Sequence, residues 1–164
     1  MKQEHYVKIS DFFRKYDWGE RFIIEINRWS TYFVYVAFIG LLISLAINKD
    51  ERIIRVILTC GISFVLVTIF RMICNSERPY TKYKFTPLIS KDKVGQSMPS
   101  RHVFSTFVIT MAFAYTYSWA FIPLLVVSLI IAVGRVLGGV HFPKDVIVGA
   151  IIGVISGILG FYVV

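Results

Sequence analysis

Residues 95–115, GQSMPSRHVFSTFVITMAFAY, join a short polar cluster directly to a long apolar run. The cluster ends in Ser100, Arg101 and His102, and the run that follows is apolar enough for a helix within a membrane. A guanidinium and an imidazole are costly beside hydrocarbon, so ionisable side chains in such a place usually serve a function. These three residues, at the mouth of an apolar helix, are the starting point for predicting both the fold and the site.

The composition of the whole chain is typical of a membrane protein. Its 164 residues are 56% hydrophobic and carry a formal net charge of +8, a combination that is uncommon in soluble domains. Five windows are long and apolar enough to cross a bilayer of about 30 Å as helices. They cover residues 30–47, 53–74, 103–117, 120–137 and 146–164. We therefore predict an all-α membrane bundle of about five transmembrane helices, forming a single domain over residues 1–164.

The N-terminal segment, residues 1–28, mixes cations with aromatic and aliphatic residues. Phe12, Phe13, Tyr16 and Ile23 stand among lysines and arginines, and no apolar stretch is long enough for a signal peptide. This mixture is typical of an amphipathic helix lying in the headgroup layer, with a simple polar tail as the alternative. We predict the interfacial helix, followed by a transmembrane core over residues 30–164.

Three polar groups are predicted to meet at one end of the bundle. Because each crossing reverses the side, the order of the spans places residues 71–102 and 134–145 on the same face. The groups contain Arg71 and Arg78; Ser100, Arg101 and His102; and Arg135, His141 and Asp145. Taken singly, each has an ordinary explanation, since arginines flank many spans and serine or aspartate caps many helices. Their order and their shared side indicate a common site.

The chemistry that suits these groups is recognition of a phosphate at the membrane surface. Arg71, Arg78 and Arg135 supply planar, permanently charged donors that match phosphate oxygens. The helices predicted to begin at Ser100 and near Pro143 add free backbone N–H groups, which also attract anions. Ser100 and the amide of Arg101 are therefore candidate phosphate ligands.

Two histidines, His102 and His141, are expected to flank the phosphate. Asp145 follows His141 by four residues, close enough to accept a hydrogen bond from one ring nitrogen and leave the other free to attack phosphorus. His102 is the candidate acid for the leaving oxygen. The competing interpretation is a zinc site formed by His102, His141 and Asp145, but the neighbouring arginines would repel a cation. We expect no metal and no other cofactor.

These residues resemble the signature of the type 2 phosphatidic acid phosphatase superfamily, written K-x6-RP, PSGH and SR-x5-H-x3-D. The matching stretches are Arg71-x6-Arg78-Pro79, Pro99-Ser100-Arg101-His102 and Gly134-Arg135-x5-His141-x3-Asp145. The resemblance implies that His141 forms a phosphohistidine, that Asp145 orients it and that His102 is the general acid. It also implies that the phosphoryl group is bound without a metal. The binding residues would be Arg71, Arg78, Ser100, the Arg101 amide and Arg135.

The resemblance implies a phosphatase of the bacterial membrane whose substrate is a phosphorylated lipid within the bilayer. The superfamily's substrates include polyprenyl diphosphates, phosphatidylglycerophosphate, phosphatidic acid and lipid A, and no nucleic-acid partner is expected. Two alternatives use the same residues. One is a phosphotransferase that passes the phosphoryl group from His141 to an acceptor other than water. The other is a non-catalytic protein that binds lipid phosphates.

Three positions depart from the signature. Arg71 replaces lysine, Gly134 replaces serine and Arg101 replaces glycine. The change at position 71 keeps the positive charge, and the change at position 134 removes a hydroxyl. Arg101 places a bulky side chain at the phosphate pocket, where we expect it either to narrow substrate choice or to contact a second phosphate.

Charge and resemblance predict opposite sides of the membrane for the site. Of the 18 lysines and arginines, all but Lys49, Arg52 and Arg55 fall on the site-bearing face. The positive-inside rule then places the site in the cytoplasm. Most bacterial members of the superfamily work on the outer face of the cytoplasmic membrane, and we expect that side here, with anionic headgroups accounting for the loop cations.

Overall fold

The computed structural model describes residues 1–90 and 94–163, and all the regular elements in those ranges are helical. The helices are α1 (Gln3–Arg14), α2 (Gly19–Ile47), α3 (Arg52–Cys74), α4 (Pro79–Tyr83), α5 (Arg101–Thr116), α6 (Phe121–Leu137) and α7 (Pro143–Ile158). A 3-10 turn, Ser118–Ala120, precedes α6, and a π-helical turn, Leu159–Val163, extends α7. The predicted all-α class is confirmed.

Four helical stretches are long and apolar enough to cross a membrane. They are Gly19–Ile47, Arg52–Tyr83, Ser118–Leu137 and Pro143–Val163. Large apolar side chains on their outer faces are exposed, such as Val36 on α2 and Ile73 on α3. Such surfaces suit contact with lipid, because an exposed apolar area of this extent is rare on soluble monomers. The chain is a multi-pass membrane protein.

The remaining predicted span, residues 103–117, forms α5, which differs from the other four. It has 16 residues, about 24 Å of helix, against a hydrocarbon core of about 30 Å. Helix α5 contacts α2, α3, α6 and α7, and ten of its residues are buried. The five predicted windows thus correspond to four helices of spanning length and one short central helix. Ser100, which precedes this short helix, is fully buried at one end of the bundle.

Helices α5 and α7 approach closely along a line of glycines. A Cβ atom at Gly149 would lie 2.7 Å from the carbonyl oxygen of Ser100, and one at Gly153 would lie 2.8 Å from that of Phe104. These distances are too short for any side chain, so the two backbones can approach in this way only with glycine on α7. The contact brings the start of α7 against the start of α5.

The N-terminal segment forms two helices rather than one. Helix α1 is amphipathic and buries Tyr6 and Ser10, whereas α2 begins at Gly19 and not at residue 30. The first turns of α2 could not be recognised as part of a span because their polar residues interrupt the apolar pattern. Helix α2 packs against both α1 and α6. The predicted division between residues 28 and 30 therefore falls inside α2.

Candidate active site

The structure brings the three sequence groups to one end of the bundle. Arg71 lies in the last turn of α3, Arg78 directly before α4, Ser100, Arg101 and His102 at the start of α5, Arg135 in the last turn of α6, His141 in the turn before α7, and Asp145 in its first turn. The opposite end is marked by Arg52, which donates to the carbonyl of Tyr115 over 3.3 Å. We call the first of these two ends the site end.

His141 and Asp145 are linked through Ser97. The Ser97 hydroxyl donates to Asp145 Oδ2 over 2.5 Å, and its oxygen lies 3.4 Å from His141 Nδ1. His141 Nδ1 and Asp145 Oδ2 are themselves 3.7 Å apart, which is longer than a hydrogen bond. Because the serine O–H is directed to Asp145, the serine oxygen is left to accept from His141 Nδ1, and we infer the tautomer that carries its proton on Nδ1 and its lone pair on Nε2. The predicted pairing of His141 with Asp145 is thus found at ion-pair distance, and Ser97 bridges the two side chains.

The imidazole of His141 is neutral at physiological pH. It is only 3% exposed, and burial lowers its pKa to about 4. Burial is the largest cause of this lower pKa; the positive charges of Arg78 and Arg135 act in the same direction, and Asp145 opposes them. A neutral imidazole keeps a lone pair available, which a nucleophile requires.

Asp145 also fixes the backbone around it. Its Oδ2 accepts a hydrogen bond of 2.9 Å from the N–H of Phe142, the residue that precedes α7. Its carbonyl oxygen accepts one of 2.8 Å from the N–H of Ser100. The starts of α5 and α7 are therefore tied together by a single residue. Because the Ser100 amide is used in this way, its hydroxyl is the group left for a ligand.

Three arginines at the site end, Arg71, Arg78 and Arg135, are buried, each with 5% exposure or less. Arg71 donates to the carbonyl oxygens of Gln96 and Pro99. Arg78 donates to Gly95 O over 3.0 Å and to Val140 O over 3.2 Å. Since a guanidinium has five N–H donors, both residues can hold the loop and still donate to an anion.

Several buried polar atoms at the site end have no hydrogen-bond partner among the residues that the structure describes. They include Arg135 Nε, the Ser100 hydroxyl and Asp145 Oδ1. Burying a cationic donor without a partner is costly, because it loses its hydration and gains nothing in exchange. Arg135 Nε and the Ser100 hydroxyl can donate to an anion that enters the site, whereas Asp145 Oδ1 can only accept.

Arg101 and His102 lie in the first turn of α5, and both are half-buried. The Arg101 guanidinium carbon lies 5.5 Å from the centre of the Phe64 ring on α3. The Arg101 N–H is at the first position of the helix, where no carbonyl of the same helix accepts it. Its amide therefore suits the predicted role in phosphate binding.

Three residues at the site end carry no sequence motif. Besides Ser97, they include Tyr6 on α1, whose hydroxyl donates to the His141 carbonyl over 3.2 Å. Burial raises the pKa of Tyr6, so this hydroxyl stays protonated as a donor. The third is the buried Asn27 on α2, whose Nδ2 would lie 2.7 Å from a Cβ at Gly134. Asn27 thus fills the space that the signature's serine would need.

The structure gives no support to the zinc alternative. Across residues 1–90 and 94–163, no three His, Cys, Asp or Glu side chains lie together as a candidate metal site. His102 is therefore not grouped with His141 and Asp145 as a ligand set. Besides Asp145, the charged groups that act on His141 are the guanidiniums of Arg78 and Arg135, which would repel a metal ion.

This combination defines a class of protein: a helical membrane protein with a buried histidine set among buried arginines at one end of the bundle. Residues 52–164, more than half of the chain, match the PAP2 superfamily. The chain belongs to this superfamily.

Known relatives agree with this assignment. The bacitracin transport permease protein BcrC of Bacillus licheniformis is 28% identical over 138 residues, which are 80% of this chain and 66% of the relative. The crystal structure of Aquifex aeolicus LpxE is similar with a TM-score of 0.74 and 26% identity, covering 96% of this chain and 92% of that one. The PAP2 type phosphatidylglycerolphosphate phosphatase of Bacillus subtilis gives a TM-score of 0.72 at 20% identity, covering 96% and 83%. This last likeness shows the fold.

Orthovanadate, a tetrahedral anion, is expected to raise the melting temperature of the detergent-solubilised protein. A ligand at a hundred times its Kd stabilises a folded state by about 2.7 kcal/mol. The shift should be lost or strongly reduced in Arg135→Gln, because the unpaired Nε is removed. Arg55→Gln is the matched control, since Arg55 donates to the Phe161 carbonyl at the opposite end. Equal shifts in the two variants would contradict an anion site at Arg135.

Proposed function

We propose that this protein is a metal-independent lipid phosphatase. It hydrolyses the phosphomonoester or diphosphate of a membrane lipid, such as a polyprenyl diphosphate, phosphatidylglycerophosphate or phosphatidic acid, through a phosphohistidine at His141. The observation that carries the proposal is a neutral, buried His141, linked through Ser97 to Asp145 and set among three buried arginines at one end of a membrane bundle.

In the first step, Nε2 of His141 attacks the phosphorus, and the bond from phosphorus to the lipid oxygen breaks. The electron pair of that bond leaves with the lipid oxygen, which takes a proton from His102. The positive charge that develops on the imidazole is stabilised through Ser97 by the Asp145 carboxylate. In the second step, His102 accepts a proton from water while the water oxygen attacks the phosphorus. The bond from phosphorus to Nε2 breaks, its electron pair returns to His141, and inorganic phosphate is released.

The arginines and Ser100 bind the phosphoryl oxygens in this mechanism. Donors that are already held in place cost little reorganisation when charge shifts in the transition state. Arg71 and Arg78 are held by loop carbonyls, and Arg135 is enclosed by the bundle. The positive charge of these residues does the work that a metal ion does in other phosphatases, which is why the proposal needs no metal.

An apolar cavity beside the site supports a lipid as the substrate. It has a volume of about 470 Å³, lies between α2, α3 and α5, and includes Phe64 and Phe104 in its wall. Phe104 is one turn of α5 beyond Arg101, so the cavity begins close to the proposed phosphate site. A hydrocarbon chain in this cavity would remain attached to a headgroup at the arginines.

The test of function is a panel of lipid phosphates with the purified protein, with and without chelator. Release of inorganic phosphate that survives chelation is expected, whereas a phosphorylated acceptor would indicate the phosphotransferase instead. The His141→Ala variant should lose turnover, and turnover that persists in it would reject the phosphohistidine.

The pH dependence of the wild-type rate tests the state of the nucleophile. Because the pKa of His141 is about 4, its imidazole should remain unprotonated from pH 8 to pH 6, and activity that depends on it should be lost only as the pH falls through about 4.

Ser97→Ala extends the same experiment to the contact between histidine and aspartate. We expect kcat of Ser97→Ala to fall by about 10- to 100-fold, which corresponds to the loss of one hydrogen bond to a charged group. Ser63→Ala is the control, because the Ser63 hydroxyl bonds only to carbonyls of its own helix, at Thr59 and Cys60. If both variants kept wild-type kcat, Ser97 would have no part in orienting His141.

The Gly61→Leu variant tests the cavity as the site of the lipid chain. Gly61 lines the cavity and has open space around its Cα, so leucine would occupy volume that the chain needs. We expect kcat/KM for a long-chain lipid phosphate to fall by about tenfold relative to a short, water-soluble phosphate ester. Gly40→Leu is matched, because Gly40 also has open space but lies outside the cavity wall. Similar losses in both variants would argue against this cavity.

We place the site end on the external face of the cytoplasmic membrane, as expected for bacterial members of the superfamily. A single cysteine at Val94, an exposed residue of the site-end loop, should then react with an impermeant maleimide in intact cells. A single cysteine at Lys49, in the turn after α2, should not. Both single-cysteine variants are made in a protein in which Cys60 and Cys74 have been replaced by serine. The reverse labelling pattern would place the site in the cytoplasm.

A further inference from the structure

Arg101 lies at the junction between the phosphate site and the apolar cavity. It is the first residue of α5, and the α5 residues of the cavity wall follow it at intervals of three, four, seven and eight. They are Phe104, Ser105, Val108 and Ile109. Residues with this spacing share one face of a helix. Arg101 is therefore the polar end of the α5 face that forms the cavity wall.

Helix α3 has the same arrangement on the other side of the cavity. Its contribution to the wall is Ile57, Cys60, Gly61 and Phe64. Arg71 is seven residues beyond Phe64, two turns further along nearly the same face. The guanidinium of Arg101 crosses from α5 to contact the Phe64 ring, at 5.5 Å. The two walls thus end in arginines, with Arg101 reaching over the cavity's site end.

The two arginines are held differently. Arg71 is buried and donates to the carbonyls of Gln96 and Pro99. Arg101 is half-buried and held against a ring face, which attracts a cation without supplying a strong hydrogen-bond acceptor. A cation held in this way can turn its planar N–H donors to a second phosphate that lies between the first one and a hydrocarbon chain.

We infer that Arg101 binds the inner phosphate of a lipid diphosphate and so selects diphosphates over monophosphates of the same lipid. The inference rests on the proposed function. His141 Nε2 attacks the terminal phosphorus, the bond from that phosphorus to the bridging oxygen breaks, and the bridging oxygen leaves with its electron pair and a proton from His102. The products are a lipid monophosphate, whose phosphate Arg101 has held, and inorganic phosphate after hydrolysis.

The experiment compares farnesyl diphosphate with farnesyl monophosphate, two substrates with the same chain, in detergent micelles. In Arg101→Gln, the ratio of kcat/KM for the diphosphate to kcat/KM for the monophosphate should fall by about 10- to 100-fold, as expected for loss of one charge-assisted contact. Arg101→Lys, which keeps the charge, should restore most of the ratio. Lys144→Gln is the matched control, because Lys144 is also a cation over an aromatic ring, Phe142, but lies on α7 away from the cavity.

An unchanged ratio in Arg101→Gln would overturn the inference, and so would an equal loss for both substrates, which would assign Arg101 to the shared phosphate or to stability. These outcomes leave the phosphatase proposal standing, since the wild type would still hydrolyse lipid phosphates. A wild-type protein that releases phosphate from neither farnesyl compound nor any lipid of the panel would reject the phosphatase proposal itself, and the role of Arg101 with it.

Discussion

The carboxylate of Asp145 is fully buried at the end of a membrane bundle, where a charge depends on the hydrogen bonds that it makes. Its Oδ2 accepts from the Ser97 hydroxyl and the Phe142 N–H, its Oδ1 has no partner among the described residues, and its backbone carbonyl accepts from the Ser100 N–H. These three bonds come from the loop, the turn before α7 and the start of α5. One residue therefore sets where Ser97, Ser100 and two helix ends lie with respect to one another.

Arg71 and Arg78 have both a structural contact and a proposed role in binding substrate. Arg71 and Arg78 donate to carbonyls between Gly95 and Pro99, so they hold the loop segment that carries Ser97. The same cations are proposed to bind the phosphoryl group. A membrane protein can keep such charges buried because their donors are used by the backbone before a substrate arrives. The carbonyl oxygens of this loop segment thus lower the free-energy cost of burying Arg71 and Arg78, and the two arginines in turn hold the segment in place.

Motif spacing and the order of the spans were enough to predict that Arg71, Arg78, Ser100, Arg135, His141 and Asp145 meet at one end. They could not predict Ser97, Tyr6 or Asn27, because these residue types are common and their partners are 44 or more residues distant in sequence, as with His141 for Ser97. The sequence also could not distinguish the short central helix α5 from a full span, because hydropathy does not show that neighbouring helices bury α5. Tertiary contacts, rather than local pattern, decide all of these features.

Asn27 and Gly134 show how a departure from the signature is accommodated between two helices. The amide of Asn27 occupies the volume next to Gly134 and lies 3.5 Å from the Ile131 carbonyl. A serine that arose at position 134 would collide with this amide, although it would restore the signature's hydroxyl. The two positions are therefore sterically coupled: a serine at position 134 requires either a smaller residue at position 27 or a displaced Asn27 amide.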